Sequence, residues 1–129
     1  MGPFELWDVQ NGSVTKSVRD PLDYGIAKCD ETSLRGGDAA FNAAALRNVM
    51  CGRGGGEKLR PLADAMMLTA GLGLEVTGRA ATLAEGIAHA REALYTNAAP
   101  ALVHRLELFG ELHRAGIRAD AAGGGACHA

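Results

Sequence analysis

The sequence predicts an N-terminal antiparallel β-hairpin followed by about four α-helices, an order that leaves its sheet short of partners. Three observations carry this. Asn11-Gly12 separates two runs rich in aromatic and β-branched residues. Gly36-Gly37-Asp38 leads from a polar stretch into the alanine-rich segment that follows. Thr82-Leu83-Ala84-Glu85 has the spacing of a capping box and opens a run of apolar residues at helical intervals.

The hairpin comes first. Strands are predicted at about Phe4 to Val9 and Ser13 to Arg19, joined by a type I′ turn at Asn11-Gly12. Phe4 and Leu6 fall on one face of the first strand and Trp7 and Val9 on the other, because side chains alternate along a strand. Such a strand requires cover on both sides. An isolated hairpin is marginal in water, so the pattern predicts strands made to join a larger sheet.

Asp20-Pro21-Leu22-Asp23-Tyr24-Gly25-Ile26 reads as a single helical turn or tight loop, with proline fixing one backbone angle and Gly25 permitting the reversal. Tyr24 and Ile26 are expected to pin it to the core, and Lys28 to Thr32 to be solvated. The first helix is predicted from about Ala39 to Cys51, capped by Asp38, with Ala40, Phe41, Ala44, Ala45 and Val49 as its apolar stripe. Gly52 to Lys58 then interrupts the helical pattern.

Pro61 suits the first turn of a second helix, and Leu62, Ala63, Met66, Met67, Ala70 and Leu74 make it apolar nearly all round, so it is the one expected to be buried. Gly71 and Gly73 each cost about 1 kcal/mol relative to alanine in a helix interior, which predicts a neighbouring element in close approach at both. Gly78 is placed to end it. The third helix runs from the Thr82 cap to about Tyr95 on the stripe Leu83, Ile87, Ala90 and Leu94. The fourth is predicted from about Ala98 to Ala115 on Leu102, Leu106, Phe109 and Leu112, with Pro100 in its first turn and Gly116 as its stop. Residues 117–129 are glycine- and alanine-rich and are expected to be disordered, which leaves 1–116 as one folded piece.

Composition narrows the function. At 129 residues and 47% hydrophobic content, one domain can bury roughly two-thirds of its unfolded surface. With 13 basic and 15 acidic residues the formal charge is -2, which gives no electrostatic reason to expect a nucleic-acid or anionic-membrane partner. No stretch approaches the roughly 20 apolar residues of a membrane span. Cys29, Cys51 and Cys127 are odd in number and far apart, which points to neither a disulfide framework nor a zinc knuckle and favours a reducing compartment.

Residues with chemical potential have ordinary readings as well. Gly52 to Lys58 lacks Walker spacing and follows a helix, so it is read as an interhelical loop, and Gly71 to Gly78 misses the dinucleotide fingerprint. Arg35 is read as a surface arginine, and Met66 and Met67 as core filler. His89 with Glu85 and Glu92, and His104 with Glu107 and Glu111, have metal-compatible spacing but are read as solvated helix faces with modest charge pairs. Cys127-His128 lacks further ligands nearby. No cysteine has a recognisable histidine partner set, so nucleophilic catalysis has no candidate, and with these ordinary readings catalytic, cofactor-binding and metal residues are all expected to be none in this chain.

The order of hairpin, Asp20-Pro-Leu-Asp-Tyr-Gly-Ile26, Leu34-Arg-Gly-Gly-Asp-Ala-Ala-Phe-Asn42, a glycine-rich gap, Leu62-Ala-Asp-Ala-Met-Met-Leu-Thr-Ala70 and Ala81-Thr-Leu-Ala-Glu-Gly-Ile-Ala-His-Ala-Arg-Glu-Ala-Leu94 resembles the C-terminal portion of anthranilate phosphoribosyltransferases, over about Gly2 to Leu112. The resemblance implies an α/β fold, of which this chain would be an incomplete piece. It implies transfer of phosphoribosyl from phosphoribosyl pyrophosphate to anthranilate, with magnesium, in tryptophan biosynthesis. It also implies that the pyrophosphate loop, the anthranilate contacts, the acidic pair for magnesium and the homodimer contacts precede the hairpin. The isolated chain is therefore expected to be a fragment, inactive alone, and cytoplasmic, or plastidial in a plant or alga. Thr69 stands where the family commonly has asparagine, and Gly71 and Gly73 replace alanines. Two other expectations stand beside this one: a non-catalytic helical interaction module docking through the hairpin, and a piece of a related nucleoside phosphorylase-like protein.

Overall fold

A computed structural model describes residues 1–51 and 58–114. Strands β1 (Phe4–Gln10) and β2 (Ser13–Arg19) form a two-stranded antiparallel sheet, and helices α1 (Ala39–Met50), α2 (Arg60–Val76), α3 (Leu83–Tyr95) and α4 (Ala98–Arg114) follow. Short 3-10 turns at Pro21–Tyr24 and Glu31–Leu34 connect the hairpin to α1. This is the predicted hairpin and helix order, a partial α/β domain, with β1 one residue longer than expected.

Asn11 (φ 50°) and Gly12 (φ 77°) both adopt left-handed backbone angles, as a type I′ turn requires. The register that follows, from Gln10 opposite Ser13 to Phe4 opposite Arg19, sorts the side chains by face. Phe4 and Leu6 are partly covered, and Phe4 packs on the helical core. Trp7, Val9, Val14 and Val18 all fall on the opposite face and are between 59% and 68% exposed. On that face Lys16 lies 4.9 Å over the Trp7 ring and 2.6 Å from Glu5.

Beyond the hairpin, the Asp20 carboxylate caps the Pro21–Tyr24 turn through the Leu22 N–H at 3.0 Å, and Gly25 (φ 73°) reverses the chain. Ile26 is then buried completely, as expected, while Tyr24 is only partly covered. Asp38 caps α1 by accepting from the Phe41 N–H at 2.8 Å. Asn42 completes the turn: its amide accepts from the Gly37 N–H and donates to the Gly37 carbonyl, both at 2.9 Å. That clamp explains the two glycines, since a Cβ on Gly36 would lie 2.9 Å from the Asn42 oxygen and one on Gly37 3.0 Å from the Phe41 ring.

The core is formed by α2 and α3 lying antiparallel, closed by Ile26 and by Val49 of α1. Gly71 and Gly86 bring the two helices into backbone contact. A Cβ on Gly86 would lie 2.5 Å from the Gly71 carbonyl oxygen, and one on Gly71 2.8 Å from Ile87. Leu83, Ile87, Ala90 and Leu94 are buried against α2 as predicted. The end of α2 is a Schellman turn: Gly78 (φ 68°) donates to the Glu75 carbonyl at 3.0 Å and Arg79 to the Leu74 carbonyl at 2.9 Å. The capping box of α3 is also formed, with the Glu85 N–H donating to Thr82 Oγ1 at 3.2 Å and the Glu85 carboxylate accepting from the Ala81 N–H at 2.9 Å.

Four expectations are corrected. The α1 stripe is mostly open, since Val49 is buried but Ala40, Phe41 and Ala44 are exposed. In α4, Leu102, Leu106 and Phe109 are exposed as well, because no described element lies over that side. Gly73 has open space around its Cα, so the close approach belongs to Gly71 alone. Cys29 is a free thiol but Cys51 is disulfide-bonded, a bond that three scattered cysteines had not suggested. Residues 52–57 of the expected loop at Gly52 to Lys58, the stop at Gly116, and Cys127 and His128 within the expected tail lie outside the described residues.

Candidate functional site

Among the described residues one charged crevice stands out, about 470 Å³ in volume, between α2, α3 and the Pro21–Tyr24 turn. Its floor is Asp64, which is 6% exposed although its neighbours on α2 are apolar. Arg60, one turn earlier on α2, brings Nε to 3.8 Å from the Asp64 carboxylate, and Arg91 comes from α3. Tyr24 and Tyr95 flank it. Burial pushes the Asp64 carboxyl above its usual range, and the fields of Arg60 and Arg91 offset part of that. The one ion pair here, Arg60 with Asp64, lies within α2, and Arg91 of α3 adds its field across the crevice.

Sequence reasoning passed over Asp64. The signal was available in a carboxylate near the start of a helix predicted to be buried, because a buried charge requires partners. Arg91 is such a partner, but its proximity depends on how α3 lies on α2.

The residues weighed as candidates are dispersed. Glu85 is engaged by the Ala81 N–H in the capping box, away from His89, and Glu107 is held 2.7 Å from Arg47 of α1. Within the described residues no three His, Cys, Asp or Glu side chains gather as a metal site. Arg35 is exposed on the edge of a second crevice of about 610 Å³, beside Phe41 and Asn42. Met67 is core as expected, whereas Met66 is only partly buried and lines an apolar crevice of about 730 Å³. Among the described residues no helix is long and apolar enough to cross a membrane.

Known proteins give the family. Residues 1–100 match the family described as the glycosyl transferase family, a/b domain. The chain is 38% identical over 110 residues to an anthranilate phosphoribosyltransferase of Desulforudis audaxviator, covering 85% of this chain and 30% of that protein. It is 38% identical over 105 residues to the protein of the same name from a Methylobacterium species, and 33% identical over 105 residues to that of Mesorhizobium japonicum, in each case 81% of this chain and 30% of the relative. The chain thus spans about 30% of the length of these curated relatives. The Gly-Gly-Asp turn clamped by Asn42, the Gly71 and Gly86 contact and the capped α3 are what the family match covers, and this chain belongs to the glycosyl transferase family, within its a/b domain.

Proposed function

We propose that the chain is the buttressing part of an anthranilate phosphoribosyltransferase, in which it stabilises the a/b domain while the reacting groups come from elsewhere in the protein. The observation that carries this is the agreement at 38% identity with relatives of that name over 85% of the chain. The open hairpin face of Trp7, Val9, Val14 and Val18 supports it, since a sheet of an α/β protein is covered on both faces. The whole enzyme would transfer phosphoribosyl from phosphoribosyl pyrophosphate to anthranilate, a step of tryptophan biosynthesis, and would work as a homodimer without nucleic acid or membrane. Magnesium would screen the pyrophosphate charge there, held by carboxylates outside the described residues. The compartment would be the cytoplasm, or the plastid in a plant or alga.

In this reading the chain contributes a fixed α2 and α3 pair and a strand edge, and no proton or nucleophile. A direct test is anthranilate consumption, followed by its fluorescence, with purified chain, phosphoribosyl pyrophosphate and magnesium. The expected result is no consumption above the protein-free control, and turnover by the purified chain would overturn the assignment of the chemistry to other residues.

A further inference from the structure

An apolar crevice of about 730 Å³ runs along α2 beside α3 and the start of α4, and nothing in the proposed reaction uses it. Its length follows from the helix: from Met66 to Thr77 the axis rises about 16 Å, at 1.5 Å per residue. Its walls are apolar. Met50, Met66 and Met67, all the methionines of the chain save Met1, line it, together with Leu74, Leu94 and small residues such as Ala70 and Ala93. Methionines adapt to irregular, flexible apolar ligands. The volume of about 730 Å³ lies in the range of small-molecule sites.

The polar groups lie toward the C-terminal end of α2. Arg79 and Thr77 line the crevice just beyond the end of α2, and His89 joins them from α3. Neither the Arg79 nor the His89 side chain has a hydrogen bond or ion pair with any described residue. The carboxylate of Glu75, in the last turn of α2, is paired with Arg19 at 2.6 Å. Arg79 thus has no ion-pair partner among the described residues and lines one end of an apolar crevice, which suits a ligand with an apolar body and one anionic head.

We infer that this crevice binds a medium-chain acyl carboxylate, with the chain along the methionines and the carboxylate on Arg79. The inference is independent of the reading of the reaction. The test is a titration of the chain, carrying 13C-methyl methionine, with sodium decanoate below its micelle concentration. Saturable shifts are expected at Met50, Met66 and Met67 and not at Met1. Arg79→Gln should raise the Kd for decanoate about tenfold, the effect of losing one charge-assisted contact, and leave that for 1-decanol unchanged. Ala70→Leu, at an exposed position on the wall, should weaken both ligands. Shifts that do not saturate, shifts equal at Met1, or an Arg79→Gln variant that binds decanoate as the parent does would overturn the inference.

Discussion

Arg19, the last residue of β2, places Nη1 2.6 Å from the carboxylate of Glu75 in the last turn of α2. Each side chain is less than a quarter exposed, and the contact spans 56 positions of sequence. It fastens the hairpin to the helical body. Donating a hydrogen bond to the Glu75 carboxylate raises the Arg19 guanidinium above its ordinary value, against a smaller loss from burial. A double-mutant cycle with Arg19→Gln and Glu75→Gln, read by urea denaturation, should give a coupling of about 1 kcal/mol.

Gly71 and Gly73 should respond in opposite senses to the same substitution. Gly71→Ala brings a methyl to 2.8 Å from the Ile87 side chain and 2.9 Å from its backbone nitrogen. The overpacking outweighs the gain in helix propensity, for a net loss of about 1–2 kcal/mol. Gly73→Ala meets nothing within 4 Å and should stabilise by about 0.5–1 kcal/mol. Thermal unfolding of the two variants checks both signs.

The turn into α1 depends on two side chains. Asp38→Ala should cost about 1 kcal/mol through the lost cap on the Phe41 N–H. Asn42→Ala removes both bonds to Gly37 and should cost about 1–2 kcal/mol. Urea midpoints at unchanged slope would measure each.

Asp64 gives a pH dependence with a definite sign. Its folded carboxyl binds a proton at higher pH than the unfolded one, because burial disfavours the charge. The folded state therefore holds more protons in the window just above the ordinary carboxylate value of 3.8, and this group's contribution to stability falls as pH rises through that window. The penalty persists in full above the folded value. Asp64→Asn should flatten this part of the stability profile, and a variant profile parallel to the parent's would contradict the assignment.

The elements that were legible in the sequence were those specified by local chemistry. Asn11-Gly12 demands left-handed angles, Thr82 and Glu85 reciprocate across one helical turn, and Gly78 ends α2, so each could be read from a few adjacent residues. What could not be read was which apolar side a helix would find covered. Phe41, Leu102 and Leu106 have the spacing of core residues yet are exposed, because periodicity specifies a stripe and tertiary neighbours decide whether it is buried. The cluster at Asp64 escaped for the same reason, since Arg60 is local but Arg91 arrives from another helix. Asn42 lay inside a segment read for ancestry, and its clamp on Gly37 became evident only from the geometry.

As proposed above, this chain would supply the scaffold of a phosphoribosyltransferase and not its reacting groups. The most direct measurement is anthranilate consumption by a chimera in which this chain replaces the matching 110 residues of the Desulforudis audaxviator protein. The account predicts a folded chimera that consumes anthranilate in the presence of phosphoribosyl pyrophosphate, with KM values close to those of the intact relative. A chimera that folds, binds both substrates and fails to turn them over would contradict it.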